Sequence, residues 1–117
     1  MRINLCRKTG FTLVEIMIVV ATIALLAAIA IPNFVKARTT SAQTACIANL
    51  KQIDGAKNTW ALERQKATSA SPDDGQIFGA TRYIRQKPAC PAGGVYTLDV
   101  VANPPSCSIG TVEGHTL

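Results

Sequence analysis

A run from Phe11 to Ile31 that is apolar at nearly every position constrains this 117-residue chain more than any other feature of its sequence. As an α-helix, its 21 residues would span roughly 32 Å, close to the ~30 Å hydrocarbon core of a bilayer. Glu15 is the only charged residue between Lys8 and Lys36. A carboxylate in hydrocarbon costs roughly 2.5–3.5 kcal/mol, so we expect Glu15 to have a cationic partner.

The residues at the start of this run form the motif Lys8-Thr9-Gly10-Phe11-Thr12-Leu13-Val14-Glu15. The motif resembles the class III signal of type IV pilins and type II secretion pseudopilins. In that family a prepilin peptidase cuts after the glycine on the cytoplasmic side, and the exposed phenylalanine is then N-methylated. The resemblance implies cleavage between Gly10 and Phe11, N-methylation of Phe11, and a role for Glu15 in assembly.

A general secretory signal is the competing interpretation of the apolar run. Ala28-Ile29-Ala30 could pass as its cleavage site, but such signals usually have about 7–15 apolar residues, and Glu15 fits them poorly. Arg2, Arg7 and Lys8 precede the run and favour a cytoplasmic amino terminus. We therefore expect a single-pass protein of the bacterial inner membrane, with its carboxy-terminal domain in the periplasm.

Four parts are predicted along the chain. Residues 1–10 are a leader, residues 11–31 a transmembrane and filament-core helix, residues 32–66 its amphipathic continuation, and residues 67–117 a small β-domain. Pro32 lies inside the helical pattern and is predicted to kink the helix rather than end it. The predicted fold class is α+β, with a long amino-terminal helix packed on a small antiparallel β-sheet, in the lollipop layout of pilins.

A stripe of side chains at helical spacing is expected to pack against the strands of the β-domain. The stripe consists of Cys46, Leu50, Ile53, Lys57 and Trp60. Alternation and turn signals predict short strands at Thr81–Gln86, Val95–Val101 and Ser106–Ile109. About fifty residues of short strands cannot bury an adequate core alone, so they need this stripe.

Four cysteines raise the question of a disulfide outside the cytoplasm. Cys6 would leave with the leader, whereas Cys90 and Cys107 flank the predicted hairpin strand and are expected to pair. Their bond would close an 18-residue loop, worth roughly 3 kcal/mol in the chain-entropy model. Cys46 would stay reduced and buried, although an exchange with Cys90 or Cys107 stays open.

No cofactor and no metal site are predicted. A zinc site would need ligands at tighter paired spacing and a fourth ligand beside the cysteines. His115, the sole histidine, could serve as that ligand. The resemblance raises calcium, because major pseudopilins often hold a calcium ion in their carboxy-terminal loops. The acidic residues here lack a calcium-loop pattern, and a solvated surface role is expected for them. They are Asp73, Asp74, Asp99 and Glu113.

Charge and motifs narrow the function further. The formal charge is +5, but loss of Arg2, Arg7 and Lys8 with the leader leaves nine basic against seven acidic residues. No basic stripe for nucleic acid is left. The sequence shows no nucleophile motif and no phosphate-binding loop, so an enzyme is not expected. It predicts a structural subunit of a pilus-like filament, assembled in the inner membrane.

The resemblance also implies the partners of such a subunit. They are the prepilin peptidase, copies of the chain, other pilin-like subunits, the inner-membrane assembly platform, and membrane lipid before assembly. In the filament, Glu15 of one subunit would neutralise the α-amine of Phe11 in its neighbour and set the axial register.

The segment from Pro32 to Arg38 resembles the major pseudopilins of type II secretion. This resemblance, with the short mature chain, favours a type II secretion pseudopilin that supports protein export. The alternative is a type IV pilin for adhesion, motility or DNA uptake. A membrane-anchored periplasmic binding module is a remote alternative.

Overall fold

The computed structural model describes residues 10–117, with the backbone alone for residues 112 and 113. The predictions for residues 1–9, including Cys6, lie outside this described part. Its elements are α1 (Leu13–Glu63), α2 (Asp74–Ile77), β1 (Tyr96–Thr97), β2 (Ser106–Cys107) and α3 (Gly110–Glu113). The predicted α+β class, a long amino-terminal helix with a small antiparallel sheet, is confirmed.

Helix α1 is one continuous helix of 51 residues that passes through Pro32. It begins two residues after the predicted start at residue 11 and ends three residues before the predicted end at residue 66. The end is set by a Schellman motif, in which Gln65 adopts a left-handed φ of 50°. The N–H of Lys66 donates to the carbonyl of Ala61 at 2.9 Å, which closes the last turn. The kink at Pro32 stays a prediction.

Contacts divide the chain into two compact units, one ending at Lys36 and the other running from Ala37 to Leu117. The second unit contains the hydrophobic core, and the predicted stripe lies in it. Helix α1 buries Cys46, Leu50, Ile53, Ala56, Lys57, Trp60 and Ala61. Loops and strands complete the core with Ile77, Ile84, Cys90, Tyr96, Leu98 and Cys107. The prediction that this stripe closes the core of the domain is confirmed.

The strands are much shorter than predicted. The only sheet in the described part pairs Tyr96 with Cys107 and Thr97 with Ser106, in antiparallel register. The expected strand from Val95 to Val101 ends at Thr97 because the following carbonyls are taken by a side chain. Lys57 Nζ donates to the carbonyls of Leu98 and Val100. Asp99, between them, has a left-handed φ of 56°, which no regular strand accommodates.

The predicted strand from Thr81 to Gln86 is wrong. In its place the structure has one isolated parallel bridge between Phe78 and Ile84. Arg82 donates its N–H to the carbonyl of Gly79 at 3.1 Å, so the chain turns back on itself at this point. Ile84 therefore bonds to the segment just before the turn, and its side chain is buried in the core.

The predicted last strand, Ser106 to Ile109, is likewise cut to its first two residues. The chain turns after Cys107 and enters α3 at Gly110.

Candidate functional site: the amino-terminal helix and the Cys-His cluster

The predicted cleavage junction is open in the described chain. A side chain built on Gly10 would meet nothing within 4 Å, and Phe11 is 81% exposed. A peptidase could therefore reach this bond without unfolding any packed element. Cleavage at this bond and methylation of Phe11 stay predictions.

Thr12 and Glu15 form a reciprocal capping box at the start of α1. The N–H of Glu15 donates to Thr12 Oγ1 at 3.2 Å, and the N–H of Thr12 donates to Glu15 Oε2 at 3.3 Å. Two helix-start N–H groups, which lack partners within the helix, are satisfied in this way. The spacing Thr-x-x-Glu is the sequence signal for such a box. Glu15 thus has a local role as well as its predicted role in assembly.

Beyond this box, α1 exposes a long apolar surface. The large side chains from Leu13 to Ile31 are about half to three-quarters exposed. The helix contains a window that is long and apolar enough to cross a membrane, and none of that window is buried in the molecule. This continuous apolar surface is far larger than that of isolated apolar residues on a protein surface. It therefore needs lipid or other helices to cover it.

Four side chains from distant parts of the sequence converge in the second unit. They are Cys46, Cys90, Cys107 and His115, called here the Cys-His cluster. The three sulfur atoms and a ring nitrogen lie within 4.8 Å of one another, and all four residues are buried. The sequence places them on helix α1, in the loop before β1, on β2 and after α3.

Cys90 is held by the turn Cys90-Pro91-Ala92-Gly93-Gly94. Gly93 donates its N–H to the carbonyl of Cys90 at 3.0 Å and has a φ of 86°, which favours glycine. The backbone N–H groups of Ala92 and Gly94 also donate to the Cys90 sulfur. This turn is the local sequence signal that could have indicated a role for Cys90 other than pairing in a disulfide.

Cys107 and Cys46 are positioned by close packing. A side chain on Gly94 would collide with Cys107 Sγ, so only glycine fits there. The hydroxyl of Tyr96 hydrogen-bonds to the Cys46 thiol, and the Asn49 amide donates to the same hydroxyl at 3.1 Å. Tyr96 is therefore fixed to direct its O–H at sulfur.

His115 is brought to the cluster by the end of α3. Gly114 takes a left-handed φ of 68°, and its carbonyl accepts a hydrogen bond of 2.9 Å from Gln43 Nε2 on α1. The Nδ1 atom of His115 then lies 3.7 Å from Cys90 Sγ. The imidazole is fully buried at this position.

The surroundings shift the pKa values of the Cys46 and Cys90 thiols in opposite directions. Burial raises the pKa of Cys46 well above its ordinary value. Burial also acts to raise the pKa of Cys90, but hydrogen bonds from Ala92, Gly94 and His115 outweigh it and lower that pKa. Of these two thiols, Cys90 is the one that its surroundings favour as a thiolate.

The structure does not contain the predicted Cys90–Cys107 disulfide. Cys46, Cys90 and Cys107 are all free thiols, and Cys46 lies beside the other two rather than apart from them. The sequence argument against a metal required short, paired ligand spacing. In this fold the four side chains instead meet from four separate segments, without short spacing in the sequence.

Lys57, which the sequence places on the stripe, is fully buried and holds a loop. Lys57 Nζ donates to three carbonyls, those of Leu98 at 2.6 Å, Val100 at 2.9 Å and Asn103 at 2.6 Å. Burial lowers the pKa of Lys57, while the carboxylates of Asp54 and Asp99 oppose this shift. The ammonium holds the loop after β1 on α1.

The acids considered for calcium have other partners. Asp74 forms an ion pair with Lys87, at 2.5 Å between Oδ2 and Nζ. Asp73 is the N-cap of α2. Asp99 accepts hydrogen bonds from the Val100 N–H at 2.6 Å and the Asn103 amide at 3.2 Å. The side chain of Glu113 lies outside the described part.

Comparison with known proteins identifies the amino-terminal segment. Residues 5–31 match the model of the prokaryotic N-terminal methylation motif. The chain is 44% identical over 79 residues to "Type IV major pilin protein PilA" of Myxococcus xanthus, covering 62% of this chain and 36% of that protein. It is 28% identical over 105 residues to "Type II secretion system core protein G" of Klebsiella pneumoniae, covering 79% of this chain and 74% of that protein.

A "Fimbrial protein" of Pseudomonas aeruginosa is 40% identical over 70 residues, covering 59% of this chain and 46% of that protein. The chain thus spans about a third of the Myxococcus pilin, about half of the Pseudomonas fimbrial protein and about three quarters of the secretion protein. No solved structure matches the chain. The predicted resemblance to type IV pilins and type II secretion pseudopilins is confirmed.

Proposed function

We propose that this chain, which carries the prokaryotic N-terminal methylation motif, is a structural subunit that polymerises through its apolar helix into a pilus-like filament. The observation that carries the proposal is the exposed apolar surface of α1 with one carboxylate in its first turn. A prepilin peptidase would cut after Gly10 and leave the α-amine of Phe11 beside the helix start. The role is structural rather than enzymatic, in keeping with the pilin and secretion proteins that the chain resembles.

Charge pairing is the mechanism of assembly that we propose. In a bundle of apolar helices, an unpaired carboxylate or amine would be buried at a high free-energy cost. Glu15 of one subunit would pair with the α-amine of Phe11 in the next, which offsets both burial costs. A subunit shifted along the axis would leave both charges unpaired, so the pairing also sets the register.

Orientation in the membrane follows from the same proposal. The basic residues Arg2, Arg7 and Lys8 favour an amino terminus in the cytoplasm. The unit from Ala37 to Leu117 would then lie in the periplasm of a bacterium and face outward after assembly. Other pilin-like subunits and the inner-membrane assembly platform would be its partners.

Within this class we favour a type II secretion pseudopilin that supports protein export. The alignment with the Klebsiella core protein G supports it, because it covers about three quarters of both chains. A type IV pilin is the second candidate. The identity to the Myxococcus pilin is higher and supports this candidate, but the alignment covers a smaller share of that protein. Deleting the gene in its host separates the two. Loss of secreted proteins with intact surface pili would support the pseudopilin, and the reverse would support the pilin.

Two substitutions at Glu15 test charge pairing separately from helix capping. Glu15→Gln keeps a side chain that can serve in a capping box but removes the charge, whereas Glu15→Val removes both. We expect both variants to insert and to be cleaved, and both to fail in filament assembly. Sedimentation of sheared filaments, with immunoblotting of the processed subunit, measures this.

The two variants have distinct alternative outcomes. If Glu15→Gln assembles like the parent while Glu15→Val does not, the carboxylate acts as a cap and charge pairing is rejected. If both assemble normally, the filament role of Glu15 is rejected altogether. Thr12→Val, which removes the hydroxyl acceptor of the box but keeps the carboxylate, is the matched control. It should assemble if charge is what matters.

A further inference from the structure

We propose that the Cys-His cluster is a structural zinc site, with Cys46, Cys90, Cys107 and His115 as its four ligands. The four donor atoms lie within 4.8 Å of one another, and all four residues are buried. Nothing in the filament role requires these residues. The inference therefore stands independently of the proposed function.

The donor set and its dimensions fit tetrahedral zinc. Structural zinc sites are four-coordinate, and three cysteines with one histidine are an established combination, with Zn–S near 2.3 Å and Zn–N near 2.0–2.1 Å. A tetrahedron with these bonds separates sulfur from nitrogen by about 3.6 Å. The 3.7 Å between Cys90 Sγ and His115 Nδ1 is close to that value. Soft thiolates with one imidazole favour zinc over the hard cations calcium and magnesium.

The groups around the sulfur atoms fit thiolate ligands. Three thiolates and one divalent cation leave a net charge of −1, which a buried site must offset with hydrogen-bond donors. Ala92 and Gly94 direct backbone N–H groups at Cys90, and Tyr96 directs its hydroxyl at Cys46. Asn49 in turn donates to the Tyr96 oxygen at 3.1 Å and fixes its direction. Donors of this kind orient metal ligands and tune their affinity.

The backbone leaves room for the ligands where they need it. Gly94 lies so close to Cys107 Sγ that any larger residue would displace the sulfur. Gly114 holds a left-handed conformation that turns His115 inward. A disulfide would join only two of the three thiols, whereas one metal ion would bind all three thiols and the imidazole.

A zinc ion at this site would tie the domain together. Cys46 belongs to α1, and the other three ligands belong to the loops and strand that pack on it. The chain forms few sheet hydrogen bonds in this region, with only two paired residues on each strand of the sheet in the described part. Metal binding is coupled to folding, so the ion would supply stability that the short strands do not. On binding, each thiol releases its proton to solvent.

The first test is the metal content of the full-length chain, purified in detergent without reductant or added zinc. We expect one zinc per chain by inductively coupled plasma mass spectrometry. Cys46, Cys90 and Cys107 should resist alkylation until a chelator and denaturant are added. A disulfide among these three, found by peptide mapping, would overturn the proposal. So would three reduced thiols that take up no metal when zinc is supplied.

The second test replaces zinc with Co²⁺ and reads its spectrum. We expect the visible bands of tetrahedral Co²⁺ with strong thiolate charge-transfer absorption in the near ultraviolet. A weak spectrum of six-coordinate Co²⁺ would reject the ligand set. His115→Gln should keep the thiolate bands but alter the visible bands, and Cys6→Ser, outside the described part, should change neither.

The third test uses a variant that leaves all four ligands in place. Tyr96→Phe keeps the ring in the core but removes the hydroxyl directed at Cys46. We expect its zinc affinity to fall about 10–100-fold, as measured by competition with a chromophoric chelator. Tyr83→Phe is the matched control, because its hydroxyl bonds to Glu63 away from the cluster. Equal affinities in the two variants would show that the Tyr96 hydroxyl does not support a metal ligand.

Discussion

The Nζ atom of Lys57 lies 2.6 Å from the carbonyl oxygen of Leu98, across 41 residues of sequence, and the side chain of Lys57 is fully buried. The same ammonium binds two further carbonyls, those of Val100 and Asn103. A side chain on the helix thus replaces the neighbouring strand that these carbonyls would otherwise need. This contact explains why the domain can be folded with so little sheet.

Removing this ammonium should destabilise the domain. In Lys57→Met the three carbonyls lose their donor, and leaving a buried acceptor without a partner costs about 1–3 kcal/mol. The loss can be measured by urea unfolding of residues 34–117, followed by the fluorescence of Trp60. Lys51→Met, at an exposed position on the same helix, is the control and should shift the free energy of unfolding by under about 0.5 kcal/mol. Equal shifts in the two variants would contradict the role given to Lys57.

The fragment from Phe34 to Leu117 should itself be soluble and folded, because it keeps the whole compact unit from Ala37 and drops the apolar run. Trp60 is 4% exposed in that unit, so Trp60→Ala should cost about 3–5 kcal/mol, the usual range for a buried large aromatic. Circular dichroism during thermal denaturation measures it. Leu62→Ala, two residues away and 80% exposed, is the control and should barely lower Tm.

The fragment also separates two uses of this helix face. If the stripe faced neighbouring subunits, Trp60→Ala would leave the Tm of the isolated fragment nearly unchanged and would weaken only the assembly of the full chain.

The carboxylate of Asp99 should make the domain sensitive to acid. Hydrogen bonds from the Val100 N–H and the Asn103 amide, with the nearby Lys57 charge, lower its pKa in the folded state. An acid with a lowered folded pKa stabilises the fold above its unfolded pKa of about 3.9, and this stability is lost as the pH falls further. Asp99→Asn keeps a residue that tolerates the left-handed conformation but does not titrate.

We therefore expect the stability difference between the parent and Asp99→Asn to be constant from about pH 5 to 7 and to narrow below about pH 4. Urea unfolding of both fragments over this range measures the difference. A difference that stays the same down to pH 2 would mean that these contacts do not favour the ionised carboxylate.

Processing gives a prediction at the other end of the chain. The mature chain should begin with N-methyl-Phe11, which intact-mass and amino-terminal peptide analysis of the membrane fraction would show. Gly10→Val should accumulate the precursor, because it adds a branched side chain at the cleaved bond. Gly75→Val, at another glycine with open space around it, should be processed normally. A mature chain that starts after Ala30 would instead indicate a general secretory signal.

The long helix and its buried stripe could be predicted because both depend on local sequence. The 21-residue run, apolar except for Thr12, Glu15 and Thr22, and the spacing of Leu50, Ile53 and Trp60 can be seen without knowing any partner. The Thr12–Glu15 capping box was equally local and could have been predicted from its spacing.

The extent of the strands could not be predicted, because it depends on Lys57 reaching carbonyls more than forty residues away. The Cys-His cluster could not be predicted either, for the same reason. Spacing rules for zinc describe ligands that lie close together in sequence, and here residues 46, 90, 107 and 115 meet only after the loops have folded onto α1.

The separation of the four cluster residues along the chain also has a consequence for how the cluster can form. Cys90 and Cys107 can approach each other as soon as the hairpin between them forms, but His115 joins only after α3 has turned at Gly114. If the hairpin forms before this turn, the thiols of the folding chain would be close together while the imidazole is still absent. At that stage an oxidant would meet the sulfur atoms before they have a complete set of neighbours. The rate at which the turn at Gly114 forms, as well as the redox conditions of the compartment, would then decide whether the cysteines of the folded protein are oxidised or reduced.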